Sequence, residues 1–109
     1  MKLFTFRETA RFTQRIGELL DDESYAKLQL FLAEFPDSGS LIKGGGGIRK
    51  VRVALPGRGK SGGARVIYFW AVADDIIFML DVYAKNDQAN LSDEQIKALH
   101  KEVKGFSNL

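Results

Sequence analysis

Residues 64–85 of this 109-residue chain read ARVIYFWAVADDIIFMLDVYAK. Residues 64–73 are apolar and aromatic throughout, apart from Arg65, which is typical of a central strand that is buried on both faces. The aspartates that follow, Asp74 and Asp75, predict a turn. Residues 76–85 then predict the returning strand of a hairpin, which brings its last residues back towards Arg65.

Another strand precedes this hairpin at residues 48–55, where the side chains alternate strictly between two faces. One face is mostly apolar and carries Arg49. The other presents two cations one pleat apart, Lys50 and Arg52. The connector before this strand, residues 37–47, ends in four consecutive glycines, which predict a turn or a close approach of the backbone to a neighbour.

Helical patterns flank these strands on both sides. Apolar residues at positions 12, 16, 19 and 20 have helical spacing within residues 7–20, with a start near Thr9. The aspartates at 21 and 22 offer an N-cap for a second helix, which ends at Pro36 and would turn Phe31 and Phe35 inward. Residues 92–95, SDEQ, form a capping box and predict a closing helix that leaves His100 at the rim of its apolar stripe.

With a short strand at residues 2–6, the predicted order is β-α-α-β-β-β-α. Grouped helices favour an α+β fold in which a helical hairpin packs on one face of an antiparallel sheet. The opposite face would display the cations. The length is that of one domain, residues 1–109.

Composition excludes several classes of chemistry. The chain has no cysteine and one histidine, which removes disulfides, thiolate nucleophiles and metal sites built on several cysteines or histidines. We therefore expect no metal and no cofactor. The apolar runs are far shorter than the roughly 20 residues that span a bilayer, and the N-terminus lacks a signal-peptide pattern, so we expect a cytoplasmic protein without a membrane partner.

The basic residues are concentrated in one block. Formal net charge is only +2, from 16 Lys+Arg and 14 Asp+Glu, yet residues 43–65 hold seven basic residues and no acid. The other 86 residues hold nine basic and 14 acidic ones, a net of −5. Such a block favours a polyanionic partner, of which nucleic acid is the commonest in a cytosol. The alternative is a solvated sheet edge.

Residues 57–62, GRGKSG, contain the letters of a dinucleotide-binding fingerprint, and residues 59–61 resemble the end of a phosphate-binding loop, but either kind of phosphate binding needs a helix immediately afterwards. A strand follows here, so we reject that function. The loop instead lets a polyanion approach Arg58 and Lys60, or is a hairpin tip. Asp81 is the one carboxylate on a strand near the cations, and we expect it to form a structural salt bridge.

Pairing of the three strands would gather four cations and an aromatic residue into one cluster: Lys50, Arg52, Arg65, Tyr83 and Lys85. Cations beside an aromatic ring suit a phosphodiester and a stacked base. RNA supplies its own nucleophile, the 2′-hydroxyl, so cations that neutralise the phosphate can support cleavage without histidine or metal. A lysine crowded by other cations has a depressed pKa and can act as base or acid. The residues alone leave a purely binding patch equally open.

Three segments together resemble the RelE superfamily of bacterial toxins, and most closely its HigB-like branch: GIRKVRVA at 47–54, GKSGGARVIY at 59–68 and YAKN at 83–86. The likeness extends over nearly the whole chain, including the helical hairpin and the closing helix. It implies a RelE-like fold and the toxin of a type II toxin–antitoxin pair. Such toxins enter the ribosomal A site and cut mRNA there, without metal, by attack of the 2′-hydroxyl on the adjacent phosphate.

The resemblance also implies roles for individual residues. Lys50 and Arg52 match the paired basic positions that contact the substrate backbone, and Arg65 matches the arginine that steadies the transition-state phosphate. Lys85 lies at the last basic position of the pattern. No tyrosine follows Tyr83 to act as the base that some relatives use, which leaves Lys50 or Lys85, or catalysis by electrostatics alone. The candidate catalytic residues are thus Lys50, Arg52, Arg65 and Lys85, and the candidate RNA-binding residues are Arg49, Arg58, Lys60, Tyr83 and Asn86.

The implied partners are the ribosome, mRNA and a cognate antitoxin, expected to be a HigA-like, DNA-binding protein that covers the basic surface. Two other functions stay open. One is a gyrase poison like the ParE branch, and the other is a non-catalytic module that binds RNA or protein. The basic strand face with Arg65 favours RNA cleavage, because gyrase poisoning does not need it.

Overall fold

The protein forms a mixed sheet with helices on both of its faces, seen in a computed structural model that describes residues 3–55, 59–88 and 90–107. For residues 59–62, 106 and 107 the description covers the backbone. In chain order the elements are β1 (Thr5–Glu8), α1 (Ala10–Leu19), α2 (Asp22–Glu34), β2 (Ser40–Leu41), β3 (Ile48–Leu55), β4 (Gly59–Ala71), β5 (Ile76–Ala84) and α3 (Asp93–Ser107).

The strands are arranged β1-β5-β4-β3-β2. β2 to β5 are antiparallel neighbours, as expected, whereas β1 lies parallel to β5. The chain returns to β1 only after the helical hairpin and three further strands, a connection long enough for parallel pairing. The predicted α+β class is therefore confirmed, and the prediction of a wholly antiparallel sheet is corrected at its N-terminal strand.

The structure contains one strand that was not predicted, β2, and several strand boundaries differ from the predicted ones. β2 lies inside the predicted connector, and its two exposed residues pair with β3 through Ser40–Lys50 and Leu41–Arg49. β4 begins at Gly59 rather than at residue 64, because its glycine-rich start carries no side-chain alternation to mark a strand. β1 begins at Thr5, three residues after the predicted start.

The helices begin at the residues that their caps indicate. The side chains of Thr9 and Asp21 accept hydrogen bonds from the backbone N–H groups of Phe12 and Ser24. That bond from Ser24 holds the pKa of the Asp21 carboxyl below its ordinary value. The capping box is also present, since the Ser92 hydroxyl accepts from the Gln95 N–H and the Gln95 side chain accepts from the Ser92 N–H.

Two apolar clusters cover the two faces of the sheet. The helical hairpin packs on one face around Phe12, Leu32 and Tyr68. On the other face α3 places Leu99 and Val103 against a cluster that includes Ile67. Residues 64–68 of β4 are therefore buried on both sides, as predicted, whereas residues 69–71 are half-buried and the predicted strand positions 72 and 73 are exposed beyond its end. The face expected to display cations is instead partly covered by α3, so cations have access only where that cover ends.

Helix α2 buries fewer residues than its sequence suggested. Leu28 and Leu32 are buried, one helical turn apart. Phe31 and Phe35, predicted to face inward, are 43% and 48% exposed and lie against each other with ring centroids 5.5 Å apart. The stripe through Leu28 and Leu32 faces the sheet, and the two phenylalanines flank it.

Among the described residues, no helix has the length and apolar character needed to cross a membrane.

The four-glycine run combines both of its predicted roles. Gly44, Gly46 and Gly47 have positive φ, which favours glycine. A Cβ on Gly46 would also lie 2.5 Å from the imidazole ring of His100 in α3. The half-buried position of His100 agrees with the rim position expected for it.

Candidate nucleic-acid interface

The register of β3, β4 and β5 places three of the candidate residues in one row. Arg52 lies directly opposite Arg65, and Arg65 lies directly opposite Tyr83. Directly opposed residues send their side chains to the same face, with Cβ atoms about 4.5–5.5 Å apart. A bulge interrupts the β4–β5 ladder between Ile67 and Tyr68, yet the expected proximity of Arg65 to the end of β5 is retained.

Two lysines extend this row along the strands. Lys50 lies two residues before Arg52 on the same face of β3. The backbone N–H of Lys85 donates to Gly63 O at 3.0 Å, which fixes Lys85 just beyond Tyr83. The structure thus brings together one set of residues, here called the cationic row: Lys50, Arg52, Arg65, Tyr83 and Lys85.

Arg65 occupies the centre of the cationic row and is only 7% exposed. Its Nη1 donates to the carbonyl oxygen of Ala64 at 3.3 Å. Within the described parts of the chain, no carboxylate forms an ion pair with any of the row's four cations. The positive charge of the cationic row is therefore available to an anionic ligand.

The carboxylate of Asp81, on β5 near the cationic row, is occupied elsewhere. It is 5% exposed, and its Oδ1 accepts from Arg15 Nη1 at 2.9 Å while its Oδ2 lies 3.4 Å from Arg11 Nε. Both arginines belong to α1, and Arg11 also pairs with Glu102 of α3 at 3.2 Å. The prediction of a structural salt bridge at Asp81 is confirmed. Because α1 compensates this carboxylate, it does not neutralise Arg65.

Tyr83 places a buried phenol beside these cations. Its hydroxyl has no hydrogen-bond partner among the described residues. Burial raises the pKa of Tyr83 and the charge of Asp81 adds to that rise, while Arg65 opposes it. At neutral pH the phenol is therefore protonated, which suits hydrogen-bond donation but not the removal of a proton. The stacking of a base on this ring, expected from the sequence, is corrected, because Tyr83 is only 5% exposed and packs within the apolar cluster of this face.

Four candidate residues are not among those that define the cationic row. Arg49 is on the opposite face of β3, where its Nη1 donates to Gly39 O at 2.7 Å and to Asp37 O at 3.1 Å. Asn86 is exposed directly after Lys85. Arg58 and the side chain of Lys60 lie outside the described residues. RNA binding by these four stays a prediction.

A pocket of about 520 Å³ adjoins the cationic row and shares Lys50 with it. Its other walls come from Ile42 and Lys43, which follow β2, and from residues 90–96 around the start of α3. Sequence reasoning missed this pocket because its two sides are almost 50 positions apart. No motif in either segment indicated that they meet.

Comparisons with known proteins point to one family. A family model described as the RelE toxin of the RelE / RelB toxin–antitoxin system matches residues 1–109. The isolated E. coli RelE toxin is similar in structure, with a TM-score of 0.59 and 17% identity over 91% of this chain and 98% of that one. An E. coli RelE mutant in the free state gives a TM-score of 0.58 and 13% identity over 93% and 97% of the two chains.

A third structure contains a partner. A chain of the intact E. coli RelBE toxin–antitoxin complex matches with a TM-score of 0.57 and 18% identity, over 73% of this chain and 94% of that one. At these identities the structural matches establish the fold. The match over the full chain length comes from the family model.

Proposed function

The chain belongs to the RelE toxin family, and from that premise we propose that its cationic row cuts mRNA on the ribosome. The family assignment confirms the predicted type II toxin, for which ribosome-dependent mRNA cleavage is the known activity. It also confirms the predicted RelE-like fold, with a helical hairpin and a C-terminal helix. The roles of individual residues are our proposal.

The observation that carries this proposal is the direct opposition of Arg52 and Arg65 without a compensating carboxylate among the described residues. A planar guanidinium group can donate two hydrogen bonds at once to the oxygens of one phosphate. Two of them on adjacent strands form a fixed clamp that stabilises the additional negative charge of the transition state. Because Arg65 is buried and hydrogen-bonded to the backbone, little reorganisation is needed when the phosphate arrives.

The proposed reaction is a transesterification within the RNA. The 2′-oxygen of one nucleotide forms a bond to the adjacent phosphorus as the bond from phosphorus to the 5′-oxygen breaks. One lysine of the cationic row, Lys50 or Lys85, accepts the proton of the 2′-hydroxyl, and the other lysine donates a proton to the departing 5′-oxygen. Tyr83 remains protonated, and its hydroxyl, which has no hydrogen-bond partner among the described residues, donates to a phosphate oxygen.

Toxins of this family are controlled by an antitoxin, and we propose that the antitoxin of this chain covers the cationic row with an acidic or amphipathic segment. A HigA-like, DNA-binding antitoxin, a HigB-like activity and a cytoplasmic location stay predictions. Antitoxin and mRNA would then compete for one surface. An antitoxin bound far from residues 43–65, with ribosome access intact, would contradict this arrangement.

The decisive experiment maps RNA ends by primer extension after the purified chain is incubated with an mRNA, with and without ribosomes. We expect cuts only with ribosomes, and a loss of about 10²–10³-fold in cleavage rate for Arg65→Ala. Arg65→Met replaces the arginine with an uncharged, unbranched side chain that still packs in the sheet. Comparison with Arg65→Ala therefore separates the loss of charge from the loss of packing. Lys27→Ala, on the exposed surface of α2, is the matched control.

Each other outcome identifies a different function. Intact mRNA in both reactions favours a gyrase poison or a binding module. Cuts without ribosomes indicate a free ribonuclease. A gradual weakening in Arg65→Ala, by about 1–3 kcal/mol in binding, indicates a patch that binds without catalysis.

A further inference from the structure

The pocket beside the cationic row has the composition of a base-binding site. Apolar side chains line part of it, Ile42 on one side and Leu91 and Ile96 on the other. Two polar side chains, Asn90 and Asp93, contribute to the same lining. Its volume of about 520 Å³ falls within the roughly 300–1,000 Å³ of small-molecule sites, which pair apolar walls with a few polar groups.

The position of the pocket relates it to the phosphate clamp. Lys50 belongs to both, and it lies two residues from Arg52 along β3. Two residues of an extended strand span roughly 7 Å. An RNA strand whose phosphate contacts Arg52 and Arg65 would therefore have a neighbouring nucleotide within reach of Lys50 and of the pocket.

We propose that this pocket receives the base of a nucleotide next to the cleaved phosphate, and that Asp93 selects bases with an exocyclic amino group. A carboxylate only accepts hydrogen bonds. Adenine, cytosine and guanine each present an exocyclic amino donor on the edge used for pairing, whereas uracil presents a single N3–H donor between two carbonyl oxygens that the carboxylate repels. Asn90 carries both a donor and an acceptor and completes the contact with whichever edge is bound. The inference rests on the proposed function for its substrate, RNA.

A first test compares the codons that are cut by wild type, Asp93→Asn and Glu94→Gln in a pool of translated mRNAs. Both acids lie in the first turn of α3, so the two variants change the charge at the helix terminus alike. Only Asp93 lines the pocket, which makes Glu94→Gln the matched control. We expect uracil to be depleted at one position near the cut in wild type and in Glu94→Gln. Asp93→Asn should raise the uracil share there by about fivefold or more.

A second test does not depend on cleavage. Each of the four nucleoside monophosphates is titrated into the protein while the amide resonances of Leu91 and Ile96 are followed by NMR. We expect AMP, CMP and GMP to shift these resonances at lower concentration than UMP, and Asp93→Asn to remove the difference.

The two tests together distinguish a failure of the proposed function from a failure of the pocket assignment. Selective shifts without any cleavage would overturn the proposed function and support the pocket. Cleavage with the same base preference in wild type and Asp93→Asn, together with equal shifts from all four nucleotides, would overturn the pocket assignment alone. Loss of base preference in Glu94→Gln as well would overturn the role of Asp93 by assigning the effect to the helix terminus.

Discussion

Arg52 and Arg65 lie directly opposite each other on the antiparallel strands β3 and β4. Like charges in that arrangement destabilise a sheet, whereas opposite charges or a threonine pair would stabilise it. Among the described residues no carboxylate relieves this repulsion, because Asp81 is bound by Arg11 and Arg15. The pair therefore stabilises the folded chain only when an anion is bound, as expected of a site kept for a phosphate.

Replacing Arg52 with threonine should separate stability from activity. Arg52→Thr removes the repulsion at an exposed strand position, so the free energy of unfolding should rise by roughly 0.2–1 kcal/mol. Cleavage on the ribosome should fall by about 10²-fold, because half of the clamp is lost. Urea unfolding and primer extension measure the two effects. Arg7→Thr, at an exposed position of β1, is the control and should leave cleavage unchanged. A less stable Arg52→Thr would contradict the repulsion between the two arginines, and a fully active one would refute the clamp.

Asp81 should contribute to stability through α1 rather than to catalysis. Asp81→Asn leaves Arg11 and Arg15 without their buried carboxylate, a loss of about 3–5 kcal/mol for a fully buried pair. The two arginine side chains are 36% and 45% exposed, so solvent screening reduces the expected loss to about 1–3 kcal/mol. Chemical denaturation measures it. Lys27→Ala, which removes an exposed pair with Glu23, should cost no more than about 0.5 kcal/mol.

Much of the fold could be predicted because its signals are local. Strict alternation marked β3, a continuous apolar run marked β4, and caps at Thr9, Asp21 and Ser92 marked the helix starts. The cationic row followed from strand pairing, since Arg65 and Tyr83 lie at similar distances from the turn between β4 and β5.

The remainder depends on contacts between distant segments, which a local pattern does not contain. The parallel pairing of β1 with β5 joins Thr5 to Ile76. The pocket beside Lys50 needs α3 to lie across the sheet, and the exposure of Phe31 and Phe35 depends on which stripe of α2 meets that sheet. Sequence periodicity identified the helix but did not choose between neighbouring stripes.

The glycine turn should be sensitive to a single methyl group wherever α3 approaches it. Gly44→Ala and Gly46→Ala both place a side chain at positive φ, which costs about 1 kcal/mol. Only the Cβ of Gly46→Ala meets the His100 ring, so the free energy of unfolding of this variant should fall by about 1 kcal/mol more than that of Gly44→Ala. Thermal or urea unfolding measures both. If the difference is steric, His100→Ala should remove most of it, and equal losses in the two single variants would contradict the contact.

Stability at alkaline pH should depend on Tyr83. Its hydroxyl ionises near the ordinary pKa of 10.0 in the unfolded chain, whereas burial raises that pKa in the folded one. The folded state then holds the proton more tightly, so the contribution of Tyr83 to the free energy of unfolding is complete below pH 10.0 and is lost as the pH rises through the raised pKa. Urea midpoints measured from about pH 8 to about pH 11 should therefore fall less steeply in Tyr83→Phe than in wild type.

The half-buried Tyr25 provides the matched comparison for this alkaline transition. Burial and its hydrogen bond to Glu8 raise the pKa of Tyr25 as well. Tyr25→Phe should thus flatten the alkaline decline by its own share, and the double variant should decline least. At neutral pH, where Tyr83 is protonated in both states, Tyr83→Phe should keep the proton-transfer step and lose only a hydrogen bond, a reduction in cleavage of no more than about tenfold. Complete loss of cleavage in Tyr83→Phe would instead identify this phenol as the group that transfers the proton.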